Sequence, residues 1–119
     1  MGKILIVDDD EVTAKLYVNK LESEGFEVTY VTDGNEALNV IKNKFDLIVL
    51  DVMIPKIDGL TLLQKIKTGV NKPTPVLVHT NLLSENVKKQ AISLGASDVL
   101  FKVDFTPFTF IDTIKKYLT

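Results

Sequence analysis

Residues 46–59 read DLIVLDVMIPKIDG. Four consecutive apolar residues, Leu47 to Leu50, stop at a carboxylate, Asp51, and Pro55 and the pair Asp58-Gly59 follow within eight positions. An unbroken apolar run of this length suits a strand buried on both faces of a parallel sheet, where no alternate residue meets water. The charge that ends the run then stands at the rim of the sheet. The proline and the Asp-Gly pair turn the chain away at once.

Strand-length apolar runs recur at KILIV (3–7), FEVTYV (26–31), PVLVH (75–79) and DVLF (98–101). Segments with helical spacing lie between them. Residues 11–24 place Val12, Leu16 and Leu21 on one side, with Tyr17 and Val18 near it. Residues 34–44 offer Ala37, Leu38, Val40 and Ile41, and residues 59–67 offer Leu60, Leu62, Leu63 and Ile66. Residues 84–94 offer Val87, Ala91, Ile92 and Leu94, and residues 107–118 offer Phe108, Ile111, Ile114, Tyr117 and Leu118. Gly25 and Gly95 fit helix stops, Ser84 an N-cap and Pro107 a first helical turn. Five alternations of strand and helix predict an α/β fold, a parallel sheet covered on both faces. FEVTYV alternates where the first, third and fourth runs do not, which predicts an edge strand.

Composition narrows the chemistry. The chain has 119 residues, 45% apolar and 25% charged, which suits one domain, residues 1–119, with a real core. It has no cysteine and a single histidine, His79, which excludes disulfides, thiolate zinc sites and histidine-rich centres. Its 14 basic residues are all lysine against 16 acidic ones, so the arginine forks of direct base readout are missing and nucleic acid is not expected as a direct partner. No apolar run approaches a membrane span and the start lacks the build of a signal peptide, so the expected location is the cytoplasm.

The ends of the runs carry the chemistry. The first ends in Asp8-Asp9-Asp10, the third in Asp51, the fourth in His79-Thr80, and Lys102 follows the fifth. In an open parallel sheet these carboxyl ends share one rim, where ligands bind. If the first and third strands are neighbours, Asp8, Asp9 and Asp51 crowd together, and each pair repels by about 3 kcal/mol at an effective dielectric near 20. Such a cluster takes up a proton or a cation, and oxygen ligands from few residues favour Mg²⁺, with Mn²⁺ as a substitute. A carboxylate nucleophile beside a divalent ion, a lysine and a hydroxyl describes phosphoryl transfer onto an aspartate.

At ILIVDDDE, LIVLDVMIPKIDG, VLVHT and GASDVLFK the chain resembles the receiver domains of bacterial response regulators over essentially its whole length. The spacing of Asp51, Pro55, Asp58 and Gly59 is the most specific element. The resemblance implies a doubly wound, flavodoxin-like fold of five parallel strands in the order 2-1-3-4-5. By position it makes Asp51 the phosphoacceptor, Asp8 and Asp9 metal ligands and Met53 a ligand through its backbone carbonyl. Thr80 and Lys102 would bind phosphoryl oxygens, and Thr80 with Val99 would form the switch. Implied partners are a histidine kinase or phosphotransfer protein, and a downstream protein met through the face of the fourth helix, fifth strand and fifth helix. On that face Phe110 and Tyr117 are expected to be exposed.

Four departures from the family pattern stand out. Val103 follows the lysine where the family has proline after a cis bond, so Lys102 is expected to be aimed differently. Val99 replaces the usual aromatic switch residue, and Asn81 replaces a small residue after Thr80. Met53 and Leu82 occupy positions where polar side chains often orient the hydrolytic water, so a long-lived phosphoryl group is expected. Two other functions compete. One is a degenerate receiver that works without phosphate. The other is a haloacid-dehalogenase-type phosphatase with Asp8 as nucleophile and Asp10 as acid/base; it leaves Asp51 unexplained and lacks a later acidic pair. Asp58 and Gly59 are assigned to the turn into the third helix, and His79 to an inward or rim position.

Overall fold

The computed structural model describes residues 2–118. The elements alternate strictly: β1 (Lys3–Val7), α1 (Glu11–Ser23), β2 (Glu27–Val31), α2 (Gly34–Val40), β3 (Leu47–Leu50), α3 (Gly59–Ile66), β4 (Val76–Thr80), α4 (Glu85–Ser93), β5 (Asp98–Phe101) and α5 (Pro107–Lys116), with one 3₁₀ turn at Lys102–Asp104. All strand pairings are parallel and the order is β2-β1-β3-β4-β5. The expected topology is therefore present, and FEVTYV is an edge.

The burial pattern explains which runs lacked alternation. β3 and β4 are buried at every residue, and β1 at every residue after Lys3. Each strand feeds two cores, one per face. Leu5, Val7, Ile48, Leu50, Val76 and Val78 pack with Ala37, Leu62, Leu63, Ile66 and Ala91 of α2, α3 and α4. Ile4, Ile6, Leu47, Val49 and Leu77 pack with Ala14, Tyr17, Leu21, Phe110, Ile111 and Ile114 of α1 and α5.

Helix ends follow the sequence signals. The Ser84 side chain accepts from Val87 N–H, and Pro107 opens α5 behind a Thr106/Thr109 capping box. Gly25 and Gly95 take φ of 94° and 108°, the left-handed conformation that closes a helix without a Cβ clash. Gly59 is required for another reason: a Cβ there would lie 2.3 Å from the Cα of Val52, so α3 starts in backbone contact with the end of β3.

The inward faces of the helices differ from the expectation. Val12 and Leu16 are 78% and 53% exposed, and α1 is anchored by Ala14, Tyr17 and Leu21. Phe108 is 73% exposed whereas Phe110 is fully buried, the reverse of their expected roles. Tyr117 is partly buried rather than exposed, and Ile92 faces outward. α2 stops at Val40, short of the expected residue 44.

Candidate functional site

Parallel pairing brings the strand ends together as the sheet topology requires. β1 and β3 are hydrogen-bonded neighbours with Val7 opposite Leu50, so the residues that follow, Asp8 and Asp51, emerge side by side. Carboxylate oxygens of Asp8, Asp9 and Asp51 lie within 4.8 Å of one another. Asp8 and Asp51 are buried while Asp9 is exposed, which gives the cluster a floor and an open side.

Lys102 reaches this floor from the far edge of the sheet. Its Nζ donates to Asp8 Oδ2 at 2.8 Å and to Asp51 Oδ2 at 2.9 Å. The chain contains no cis peptide bond among the described residues, so Lys102–Val103 is trans. The lysine nevertheless points into the cluster, which corrects the expectation that it would be aimed elsewhere. Burial alone would lower its pKa, but the hydrogen bonds to Asp8 and Asp51 and the charges of both carboxylates together outweigh burial and hold it above the ordinary lysine value.

Asp8 shows that one ammonium is not enough. Burial drives its pKa up, more strongly than the bonds from Lys102 and from Asp10 N–H lower it. Three carboxylates against one lysine leave a formal charge of −2 in the cluster. A divalent cation balances that charge, and hard oxygen donors with one open side suit it. The residues therefore fit a divalent ion.

Each remaining group is held by short local contacts. Met53 N–H donates to Asp51 Oδ1 at 2.9 Å, so that residue enters the site through its backbone, while its side chain is half exposed. Thr80 ends β4, one strand from Asp51, fully buried, with its Oγ1 accepting from Leu82 N–H at 3.1 Å. Val99 is in the core beside Val78, and an aromatic residue, Phe101, stands opposite Thr80 in register. The Lys88 ammonium of α4 lies 5.9 Å from that ring. Asp10 is turned away: its Oδ1 caps α1 by accepting from Thr13 N–H, which leaves the acid/base role of the phosphatase reading without support.

Two residues escaped sequence reasoning. The Tyr30 hydroxyl of β2 donates to the Asp8 carbonyl at 2.8 Å, and burial and the neighbouring acids push its pKa up to about 12. Lys56 takes a positive φ of 75° and pairs with Asp33 at 3.4 Å, pinning the loop after β3 to the start of α2. The Lys56 signal was faint, because a turn between Pro55 and Asp58 was expected but its sign of φ was not. His79 is inward as expected, stacked on Phe110 with ring centroids 3.7 Å apart.

Comparison with known proteins points the same way as the geometry. The chain is 40% identical over 102 residues to the transcriptional regulatory protein CpxR of Escherichia coli (strain K12), covering 86% of this chain and 43% of that one. The chain thus spans less than half the length of this relative. A CheY-like response regulator receiver domain protein from Methanospirillum hungatei JF-1 superposes with a TM-score of 0.91 at 28% identity, over 99% of this chain and 94% of that one. The Mn²⁺-bound form of response regulator Rcp1 superposes with a TM-score of 0.87 at 25% identity, over 98% and 93%. Residues 4–115 match the response regulator receiver domain as a family, and the chain belongs to it.

Proposed function

We propose that residues 1–119 form one receiver domain whose Asp51 accepts a phosphoryl group from the phosphohistidine of a histidine kinase or phosphotransfer protein. The observation that carries this reading is the state of Asp51: buried at the rim, within 4.8 Å of two further carboxylates and bonded to a lysine ammonium at 2.9 Å. A carboxylate oxygen of Asp51 attacks phosphorus as the phosphorus–nitrogen bond breaks, giving an acyl phosphate and an imidazole that keeps the bonding pair and takes its proton from water. No general base is needed, since Asp51 attacks as the anion; positioning and charge neutralisation supply the rate.

Asp8, Asp9, Asp51 and the backbone carbonyl of Met53 would hold Mg²⁺, with Mn²⁺ as a substitute, in keeping with the Mn²⁺-bound form of the structurally similar Rcp1. The ion, when bound, neutralises the crowded carboxylates and the charge on the transferring group. Lys102 exchanges its bond to Asp51 for one to a phosphoryl oxygen. Thr80 turns its hydroxyl from Leu82 N–H toward another, which couples the site to the loop leading into α4. Val99 follows as part of this switch, and signal leaves through α4, β5 and α5. Phe108, not Phe110, is the exposed aromatic there.

No helix among the described residues is long and apolar enough to cross a membrane; a cytoplasmic setting is proposed from membership of the response regulator receiver family. Direct DNA readout is not proposed for these arginine-free residues; the name of CpxR belongs to a protein about twice as long. The deciding experiment is intact mass after incubation with acetyl phosphate and Mg²⁺. Wild type should gain one phosphoryl group and Asp51→Asn none; equal gain by both would refute the assignment.

A further inference from the structure

Two of the three carboxylates of the cluster, Asp8 and Asp9, hang from a single turn, and that turn is gripped from one side by β2. Asp8 N–H donates to the Val31 carbonyl at 3.2 Å, and the Asp8 carbonyl accepts from the Tyr30 hydroxyl at 2.8 Å. Tyr30 is partly buried against the core on the α1–α5 side of the sheet, so the hydroxyl projects from a packed base. Asp8 Oδ1 accepts from Asp10 N–H at 2.9 Å, which closes the turn. Asp9 is exposed and takes its place from this turn. Like charges at this spacing push the turn open; the Lys102 ammonium draws Asp8 and Asp51 together, and a braced backbone adds to this by holding the Asp8-Asp9 turn before a cation arrives.

We propose that Tyr30 is a positioning residue for the cation site: by holding the Asp8 carbonyl it fixes the turn that presents Asp8 and Asp9, and so sets the affinity of the cluster for a divalent ion. This rests on the reading that the cluster holds such an ion. Tyr30 touches neither the ion nor the transferring group. Loss of one hydrogen bond of this kind costs on the order of two- to tenfold in an equilibrium constant.

The test is direct Mn²⁺ binding to the full chain, followed by electron paramagnetic resonance and by calorimetry, with urea midpoints measured beside it. Tyr30→Phe deletes only the hydroxyl and keeps the packed ring. Val28→Ala, on the same face of β2, loosens packing without touching the Asp8 carbonyl. Tyr30→Phe should weaken Mn²⁺ binding about two- to tenfold, while Val28→Ala lowers the urea midpoint and leaves the affinity unmoved. Tyr30→Phe that binds like wild type, or Val28→Ala that weakens binding equally, overturns the role given to Tyr30 alone. Wild type with no affinity for Mn²⁺ overturns the cation site itself, and Tyr30's role with it.

Discussion

His79 offers a quantitative test of the packing beneath the site. It is the only histidine, 1% exposed, and neither ring nitrogen has a hydrogen-bond partner among the described residues. Its ring lies flat on Phe110, with Tyr17 and Phe105 near its edges. Burial, helped by the Lys102 ammonium, lowers its pKa from 6.5 to about 3. Between those values the unfolded chain binds a proton that the fold refuses, so stability is lost as pH falls. For a fall from pH 7.5 to pH 5 the loss is about 2 kcal/mol, since the unfolded histidine is almost wholly protonated at the lower pH and the folded one is not. With a urea dependence of about 2 kcal/mol per molar, the midpoint should drop by about 1 M. His79→Leu keeps the volume and removes the titration, so its midpoint should drop less than wild type's by that amount. Carboxylate titrations are common to both proteins and cancel in the difference. Equal drops in the two proteins, or a His79 ring resonance that titrates near 6.5 in the folded state, would refute the reasoning.

Three further outcomes follow from the site and its supports. Lys102→Met leaves Asp8 and Asp51 buried without a counter-charge and should cost about 3 kcal/mol by urea melts without divalent ions, with Mg²⁺ restoring part of it. Asp8 is the opposite case: its raised pKa means that its charge opposes folding once pH has risen through that pKa. Asp8→Asn should therefore raise the urea midpoint at neutral pH while abolishing Mn²⁺ binding measured by calorimetry. Gly59→Ala drives a methyl into the Val52 backbone at 2.3 Å and should cost about 2–3 kcal/mol or more in thermal or urea melts.

The sequence carried the sheet and the rim because burial leaves a mark there. A strand covered on both faces must be apolar throughout, so β1, β3 and β4 announced themselves, and in a parallel sheet their ends fall on one side whatever the loops do. Helix faces were less legible because apolar residues lie on more than one side of short helices. In α1 the inward positions include Ala14, small and easily overlooked, while the larger Val12 and Leu16 point outward. In α5, Phe108 and Phe110 are two residues apart and face opposite ways; the run of Phe110, Ile111 and Ile114 has the spacing of a core stripe, and it is the one that is buried. Tyr30 left no usable trace, since an alternating edge strand predicts which side a tyrosine faces but not that its hydroxyl reaches a carbonyl 22 positions away.

Lys102 shows how a local departure from a family pattern can leave the geometry of a site intact. The residues after it turn through Lys102–Asp104, and Phe105 N–H closes that turn on the Lys102 carbonyl at 3.2 Å. Phe105 then packs edge-on against Phe110, at 5.9 Å between centroids, and against His79 at 6.4 Å. One residue further on, Thr106 and Thr109 cap α5 reciprocally. The backbone that launches the lysine is therefore fixed by a ring seated on the α1–α5 side of the sheet and by a capped helix behind it. The pull on the ammonium is set on the other side of the problem, by two buried carboxylates that have few other ways to offset their charge. Where a side chain is placed by its electrostatic partners and its backbone by packing, the isomer of the following peptide bond becomes one solution among several. The same logic makes the aromatic group around His79 part of the site's support: it seats the turn, and the turn delivers the charge.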